Sequence, residues 1–171
     1  MIEKIIFPDF PMPPTINKSY KSITRRIRVG KNIVLRSSMI HSELLNKFYV
    51  DVKMWENKNK LPIEVASDLI KSWVLSGYEL KVDYYFLFPR EKIYTKTKNA
   101  KSKLHKLDAD NRIKAGRDGL SECLKIDDTY FVSGNIEKVI QQEGKTECVI
   151  IVISKTKIQS ADQLKKNLAA L

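Results

Sequence analysis

Four carboxylates in two short runs are the residues of this chain best suited to chemistry. Asp108 and Asp110 lie in Leu107-Asp108-Ala109-Asp110-Asn111-Arg112-Ile113-Lys114, and Asp127 and Asp128 follow Ile126. Carboxylates gathered at about 4 Å repel by roughly 4 kcal/mol per pair at an effective dielectric near 20, so such a cluster needs a counter-cation. Mg²⁺ is the natural choice, with Mn²⁺ as a substitute, because hard cations take oxygen ligands and phosphate esters. Softer metals have no ligands here. Cys123 and Cys148 are far apart, no Cys-x-x-Cys occurs, and the only histidines are His41 and His105, which argues against a disulfide framework or a zinc site.

The spacing of the acids dictates local structure. Residues two apart share a side of an extended chain but not of a helix, so Asp108 and Asp110 can share a metal only ahead of a helix. Extended backbone through Asp110, with a helix opening at Asn111, sets both charges near the positive end of the helix dipole. Lys114 then lies about 6 Å further along the axis, close enough to neutralise a carboxylate or hold a phosphate oxygen, whereas Asp118, about 12 Å from Asp110, ranks behind as a ligand. Each acid alone has an ordinary explanation: a helix cap, an i,i+4 pair with Lys114, a turn at Asp127-Asp128. Their collection at one end of a buried stripe of Ala109, Ile113, Gly116, Leu120 and Leu124 favours a site. A straight helix from Asp110 to Leu124 would travel about 21 Å, and four extended residues return at most about 14 Å. Asp128 would stay at least about 7 Å from Asp110, so either the helix ends early or two subunits combine their acids.

The elements around this segment predict an α+β fold: a single domain with a mixed β-sheet and two β-hairpins packed against helices. Ile5 to Phe7 forms a first strand, and Pro8, Pro11, Pro13 and Pro14 impose an extended, helix-free path after it. Arg25-Arg26-Ile27-Arg28-Val29 and Asn32-Ile33-Val34-Leu35-Arg36 flank Gly30-Lys31 as a hairpin with a basic face. A helix from Ser38 to about Asn57 buries Leu44, Phe48, Val52 and Trp55, a shorter one runs from Leu61 to Leu75, and a strand spans 78–88. Residues 90–106 carry seven Lys or Arg against one acid and are too polar to fold alone, so they read as a long basic loop. Beyond the acidic helix come a strand near 130–139, a turn at Glu143-Gly144-Lys145 and a strand 147–153, paired as the second hairpin, then a terminal helix capped at Ser160.

Composition narrows the partners. Of 171 residues, 31 are Lys or Arg and 20 are Asp or Glu, and a net charge of +11 attracts polyanions. The longest apolar run, 148–153, is far short of a membrane span, and the first residues lack the features of a secretory signal, which predicts a cytoplasmic, nucleic-acid-binding protein.

The motif Asp108-Ala109-Asp110-Asn111-Arg112-Ile113-Lys114-Ala115, continuing through Asp118-Gly119-Leu120 to Asp127-Asp128, resembles the RusA family of Holliday-junction endonucleases. The opening Phe10-Pro11-Met12-Pro13-Pro14-Thr15-Ile16-Asn17 is similar to that family's Pro-rich start, and the resemblance covers about residues 5–153. It implies a homodimeric, Mg²⁺-dependent resolvase that nicks paired strands of a four-way DNA junction. By position it makes Asp108, Asp110 and Asp128 the metal-binding catalytic acids, Asp127 a further metal candidate, and Lys114 the functional lysine. DNA contacts are expected from Lys18, Arg25, Arg26, Arg28, Lys96, Lys98, Lys101, Lys103 and Lys106. The expected domain is 1–158, with an insertion at 57–76, a mobile basic loop at 90–106 and a helical tail at 159–171. Gly119 stands where the family usually has alanine. Two rival readings keep the basic surface: a non-catalytic nucleic-acid-binding protein whose acids are caps and turns, and a nuclease of other branched DNA or of RNA.

Overall fold

A computed structural model of the chain describes residues 3–29, 32–90, 94–96, 102–104, 109 and 112–157. The fold is α+β, as expected. Its centre is a five-stranded mixed sheet in the order β1-β9-β4-β7, with β8 pairing the same edge of β4 further along. β1 (Lys4–Pro11), β4 (Glu79–Pro89) and β9 (Cys148–Thr156) are antiparallel neighbours, while β7 (Phe131–Ser133) and β8 (Ile136–Gln141) run parallel to β4.

One face of this sheet holds the core. Leu80, Val82, Tyr84, Phe86 and Phe88 alternate along β4 and are all buried, with the rings of residues 84, 86 and 88 stacked at 6.3 and 6.4 Å. On β1 the strict alternation fails, because Phe7 and Phe10 are both buried. The chain solves this with a bulge: Phe7 pairs Ile151 and Phe10 pairs Val149, three steps against two. Asp9 takes the left-handed φ of 53° there, and the Trp55 indole donates to the Pro8 carbonyl at 3.1 Å. The first strand is therefore longer than the run of prolines suggested. A one-turn helix, α1 (Ile16–Ser19), follows the helix-free proline stretch.

Two long helices cover the core face. Ser42 caps α2 (Glu43–Lys58), its hydroxyl accepting from the Leu45 N–H at 3.2 Å. The helix thus opens after Ser38, which lies in a strand instead. α3 (Lys60–Leu75) carries Pro62 in its first turn, where a missing N–H costs nothing. It contributes buried Ile63, Ile70 and Trp73, and Ser67 donates to the Leu124 carbonyl at 2.6 Å. The segment 57–76 is therefore woven into the core. α4 (Ile113–Leu124) crosses α2 closely at Gly119, where an added Cβ would lie 3.3 Å from the Phe48 ring.

Two connections differ from expectation. The strand anticipated near 130–139 is broken into β7 and β8 at Gly134, whose added Cβ would sit 1.9 Å from the Val82 carbonyl oxygen. Backbone and side chain both fasten this break to β4: Tyr84 N–H donates to Asn135 O at 2.9 Å, and Asn135 N–H to the Asp83 carboxylate at 2.8 Å. β8 and β9 do not form the second hairpin, because β4 lies between them. The second antiparallel pair is β5 (Tyr94–Lys96) with β6 (Ser102–Leu104), inside the stretch expected to be a plain loop. Interstrand pairing there satisfies backbone groups without needing an apolar core. The basic hairpin is longer than its sequence signal. β2 (Tyr20–Val29) and β3 (Asn32–His41) pair over ten residues each and make a sheet of their own. No helix among the described residues is long and apolar enough to cross a membrane. The capped tail helix, at 159–171, lies outside the described residues.

Candidate active site at the start of α4

The described part of the acidic motif is fixed from both sides. Ala109 is fully buried, and its carbonyl accepts from the Arg112 N–H at 3.0 Å, turning the chain into α4. The Arg112 guanidinium donates to the Pro13 carbonyl and lies 5.9 Å over the Phe88 ring, tying the Pro-rich opening to the helix start. Regular helix begins at Ile113, two residues later than expected, since Arg112 occupies the cap position. Asp108, Asp110 and Asn111 lie outside the described residues, as do Lys98, Lys101 and Lys106.

At the other end, the chain turns back at once. Lys125 adopts a left-handed φ of 53°, and its N–H and that of Ile126 close onto the carbonyls of Glu122 and Ser121. Asp128 then opens a short 3-10 turn (Asp128–Tyr130) leading into β7. Arg117 locks this return, donating to the Phe131 carbonyl and lying 5.9 Å over its ring. The result is electrostatic convergence. Burial raises the Asp118 carboxyl above its ordinary pKa, Asp128 pushes it the same way, and Lys114 and Arg117 oppose. Asp118 lies half-buried, with Lys114, Ser19, Tyr20 and Tyr49, around a crevice of about 10 Å³. The Tyr49 phenol is raised by burial and then by Asp118.

The paired acids 127 and 128 are not equivalent. The Asp127 carboxylate accepts the Thr129 N–H at 2.9 Å, a bond that holds its pKa below the ordinary value. Asp128 makes no such bond with a described residue, sits exposed, and acts electrostatically on Asp118 and Tyr84. Tyr84, on β4 beneath α4, is a residue that sequence reasoning missed. Its hydroxyl is buried and has no hydrogen-bond partner among the described residues, and burial drives its pKa well up, with Arg117 opposing and Asp118 and Asp128 adding. Among the described residues no three His, Cys, Asp or Glu side chains group as a metal cage. Cys123 is no candidate ligand, its thiol pushed up to about 12 by burial.

The expected DNA-binding residues fall on separate elements. Lys18 is exposed on α1, Arg25, Arg26 and Arg28 are exposed on β2, and Arg25 faces Arg36 in register across the hairpin. Lys96 and Lys103 belong to β5 and β6, where Lys96 pairs Ser102 and Lys103 pairs Thr95.

Residues 44–151 match the family model described as endodeoxyribonuclease RusA, well over half of the chain. The chain belongs to the RusA family. This family is one of endonucleases acting on Holliday junctions, and its match runs from α2 through the acidic motif into β9. The β2–β3 hairpin lies outside the matched range. No curated protein matches the chain.

Proposed function

We propose that this RusA-family chain is a Mg²⁺-dependent resolvase that acts as a homodimer and nicks paired strands of a four-way junction in recombination and repair. The observation that carries the metal-dependent reading is the electrostatic repulsion that Asp118 of α4 feels from Asp128, neither acid making an ion pair with a described residue. An oxygen-donor side chain whose charge is disfavoured by burial and by the nearby Asp128, next to a motif supplying Asp108 and Asp110, suits a hard divalent cation. Such a cation, when bound by Asp108, Asp110 and Asp128, supplies Lewis acidity and an activated water. Lys114, exposed one turn into α4, stabilises charge developing on the phosphate. Asp127 is the weaker candidate, because its carboxylate already caps the turn.

Lys18 with Arg25, Arg26 and Arg28 of the hairpin, and Lys96, Lys98, Lys101, Lys103 and Lys106 of the 90–106 segment, grip the junction arms through backbone phosphates. The test is Asp110→Asn. It should abolish Mg²⁺-dependent cleavage of a four-way junction while leaving junction binding in a gel-shift assay intact or tighter; undiminished cleavage would sink the assignment.

A further inference from the structure

One face of the β2–β3 ribbon carries an apolar row that phosphate binding leaves unused. Residues directly opposite on antiparallel strands share a face, so Arg26 lies beside Leu35, Ser22 beside Met39 and Tyr20 beside His41. Even spacing along each strand sets all three pairs on the same side. Leu35 and Met39 are 66% and 65% exposed there, so no described element packs over them. Single exposed aliphatics are ordinary; the place of these two is what counts. Their row runs into the candidate active site. Tyr20, at its inner end, lines the same crevice as Lys114 and Asp118, and its ring meets His41 at 5.6 Å. At the 3.4 Å rise of an antiparallel strand, Met39 lies about 7 Å out from His41 and Leu35 about 20 Å.

Charge narrows what can cover this row. β2 and β3 hold Lys21, Arg25, Arg26, Arg28 and Arg36 and no acid. A second copy laid on the same face would bring arginines together unanswered, whereas a two-fold contact must be self-complementary. Nucleic acid answers the charge with its phosphates, and its major groove admits a two-stranded ribbon. An aliphatic side chain gains little from a continuous duplex, whose base faces are hidden in the stack. At a branch point the stack is interrupted, and a Leu or Met can enter a step that is already broken.

We infer that Met39 and Leu35 form an apolar edge that packs on bases at the branch point of a four-way junction. Met39 enters the interrupted stack nearest the cut phosphodiester, and Leu35 rests on base edges in the groove of the adjoining arm. The inference rests on the resolvase reading and names what the ribbon recognises, which is broken stacking and not base sequence. Arg26 and Arg28 on the same face hold phosphates, while the two aliphatics set which DNA shape is accepted.

Two measurements made without divalent cation, so that nothing is cut, test this. In the first, gel shifts compare a four-way junction with a linear duplex of the same sequence. The parent should prefer the junction by tenfold or more. Met39→Gln should lower that preference about tenfold, the scale of burying one aliphatic side chain, and Leu35→Gln several-fold. Met39→Leu should keep it. The salt slope of junction affinity should stay that of the parent, because no phosphate contact is lost. Both side chains are exposed, so the variants should melt with the parent. In the second, thymines flanking the branch point should become permanganate-reactive when the parent binds, and less so with Met39→Gln. Equal affinity of the parent for junction and duplex, or full preference in both glutamine variants, overturns the inference. Sedimentation showing that either glutamine variant turns a dimer into monomers overturns it too, since the row would then be an interface between copies. A protein that never cuts in Mg²⁺ but opens the junction through Met39 upholds the apolar edge and removes the nuclease reading instead.

Discussion

The β2–β3 hairpin and the segment from Ala109 to Phe131 are built on opposite plans. Among the described residues the hairpin strands pair only with each other, and a lone two-stranded ribbon is marginal in water. Its hold on the body is at its base, where the His41 ring meets Tyr49 of α2 at 6.1 Å and the Lys21 ammonium pairs with the Glu43 carboxylate at 3.3 Å. The acidic segment is pinned at Ala109, Arg112, Arg117 and the Gly134 break, each by burial, a hydrogen bond or a steric fit to the sheet. The difference follows from what each has to do. Backbone phosphates can be gripped by a ribbon that adapts, because Coulomb attraction tolerates displacement. Placing acids around one reacting phosphorus needs groups held to within a fraction of an ångström.

The largest expected effect breaks the pinned region. Asp128→Asn should lower cleavage about 10²–10³-fold with junction affinity retained, the loss typical of removing one charge-stabilising group. Asp127→Asn should have a much smaller effect on cleavage, because its carboxylate is already committed to the Thr129 N–H. Equal losses in both variants, measured under single-turnover conditions, would erase the distinction between the two acids.

The hairpin predicts a different signature. Strand alternation sets Arg26 and Arg28 on one face and Arg25 on the other. Each phosphate contact contributes about 0.9 to the slope of log affinity against log salt, so Arg26→Ala with Arg28→Ala should flatten that slope by about 2 if their face meets DNA. Arg25→Ala alone should flatten it by about 1. Cleavage at saturating protein should change little beside the Asp128→Asn loss. An unaltered slope in all variants would make the hairpin a merely solvated surface.

Sequence pattern exposed the two regions unequally. The hairpin was visible because Gly30-Lys31 sits between alternating runs, though its full length was not, since Ser37, Ser38 and Ser22 carry no strand signal and pair only by continuing the ladder. The acids, the helix and its end at Leu124 were visible from motif and period. Asp118 ranks behind the other acids on distance along the helix axis, a measure of separation from Asp110 that says nothing of the chain that returns. Lys125 and Arg117 bring Asp128 back beside it, which only tertiary structure shows. Tyr84 looked like one more apolar position of a strand. Its signal was the single hydroxyl in a row of phenylalanines. The β8–β9 hairpin failed because short turns invite pairing of sequence neighbours, while β4 offered β8 a parallel edge fixed by Gly134 and Asn135.

Asp118 sharpens the comparison through pH. A carboxyl whose pKa is raised on folding binds its proton more tightly in the native chain than in the unfolded one. Stability therefore falls as pH rises from the ordinary carboxylate value through the raised one, and stays lower above it. Asp118→Asn should remove that decline, so denaturant midpoints of variant and parent should separate at neutral pH in the variant's favour and draw together in acid. Added Mg²⁺ should narrow the neutral-pH gap if the cation relieves the same repulsion. No such pH-dependent gap is expected for Arg25→Ala.

The smallest effect concerns how tightly the pinned region is packed. Alanine at 119 would gain up to about 1 kcal/mol of helix propensity over glycine. Against this, its Cβ would meet the Phe48 ring at 3.3 Å, and that ring is buried beneath Phe10 and beside Tyr49. If Phe48 can shift by a few tenths of an ångström, Gly119→Ala should be neutral or slightly stabilising by thermal melting. If it cannot, overpacking of about 1–3 kcal/mol should win and the melting point should fall. Phe48 is closed in by two aromatic neighbours and by α4 itself, so a net loss is the expected outcome. Cleavage should fall with it, because the shift would be passed through α4 to Lys114 and Asp118, whereas a destabilising change at the hairpin tip would leave cleavage of bound junction unchanged.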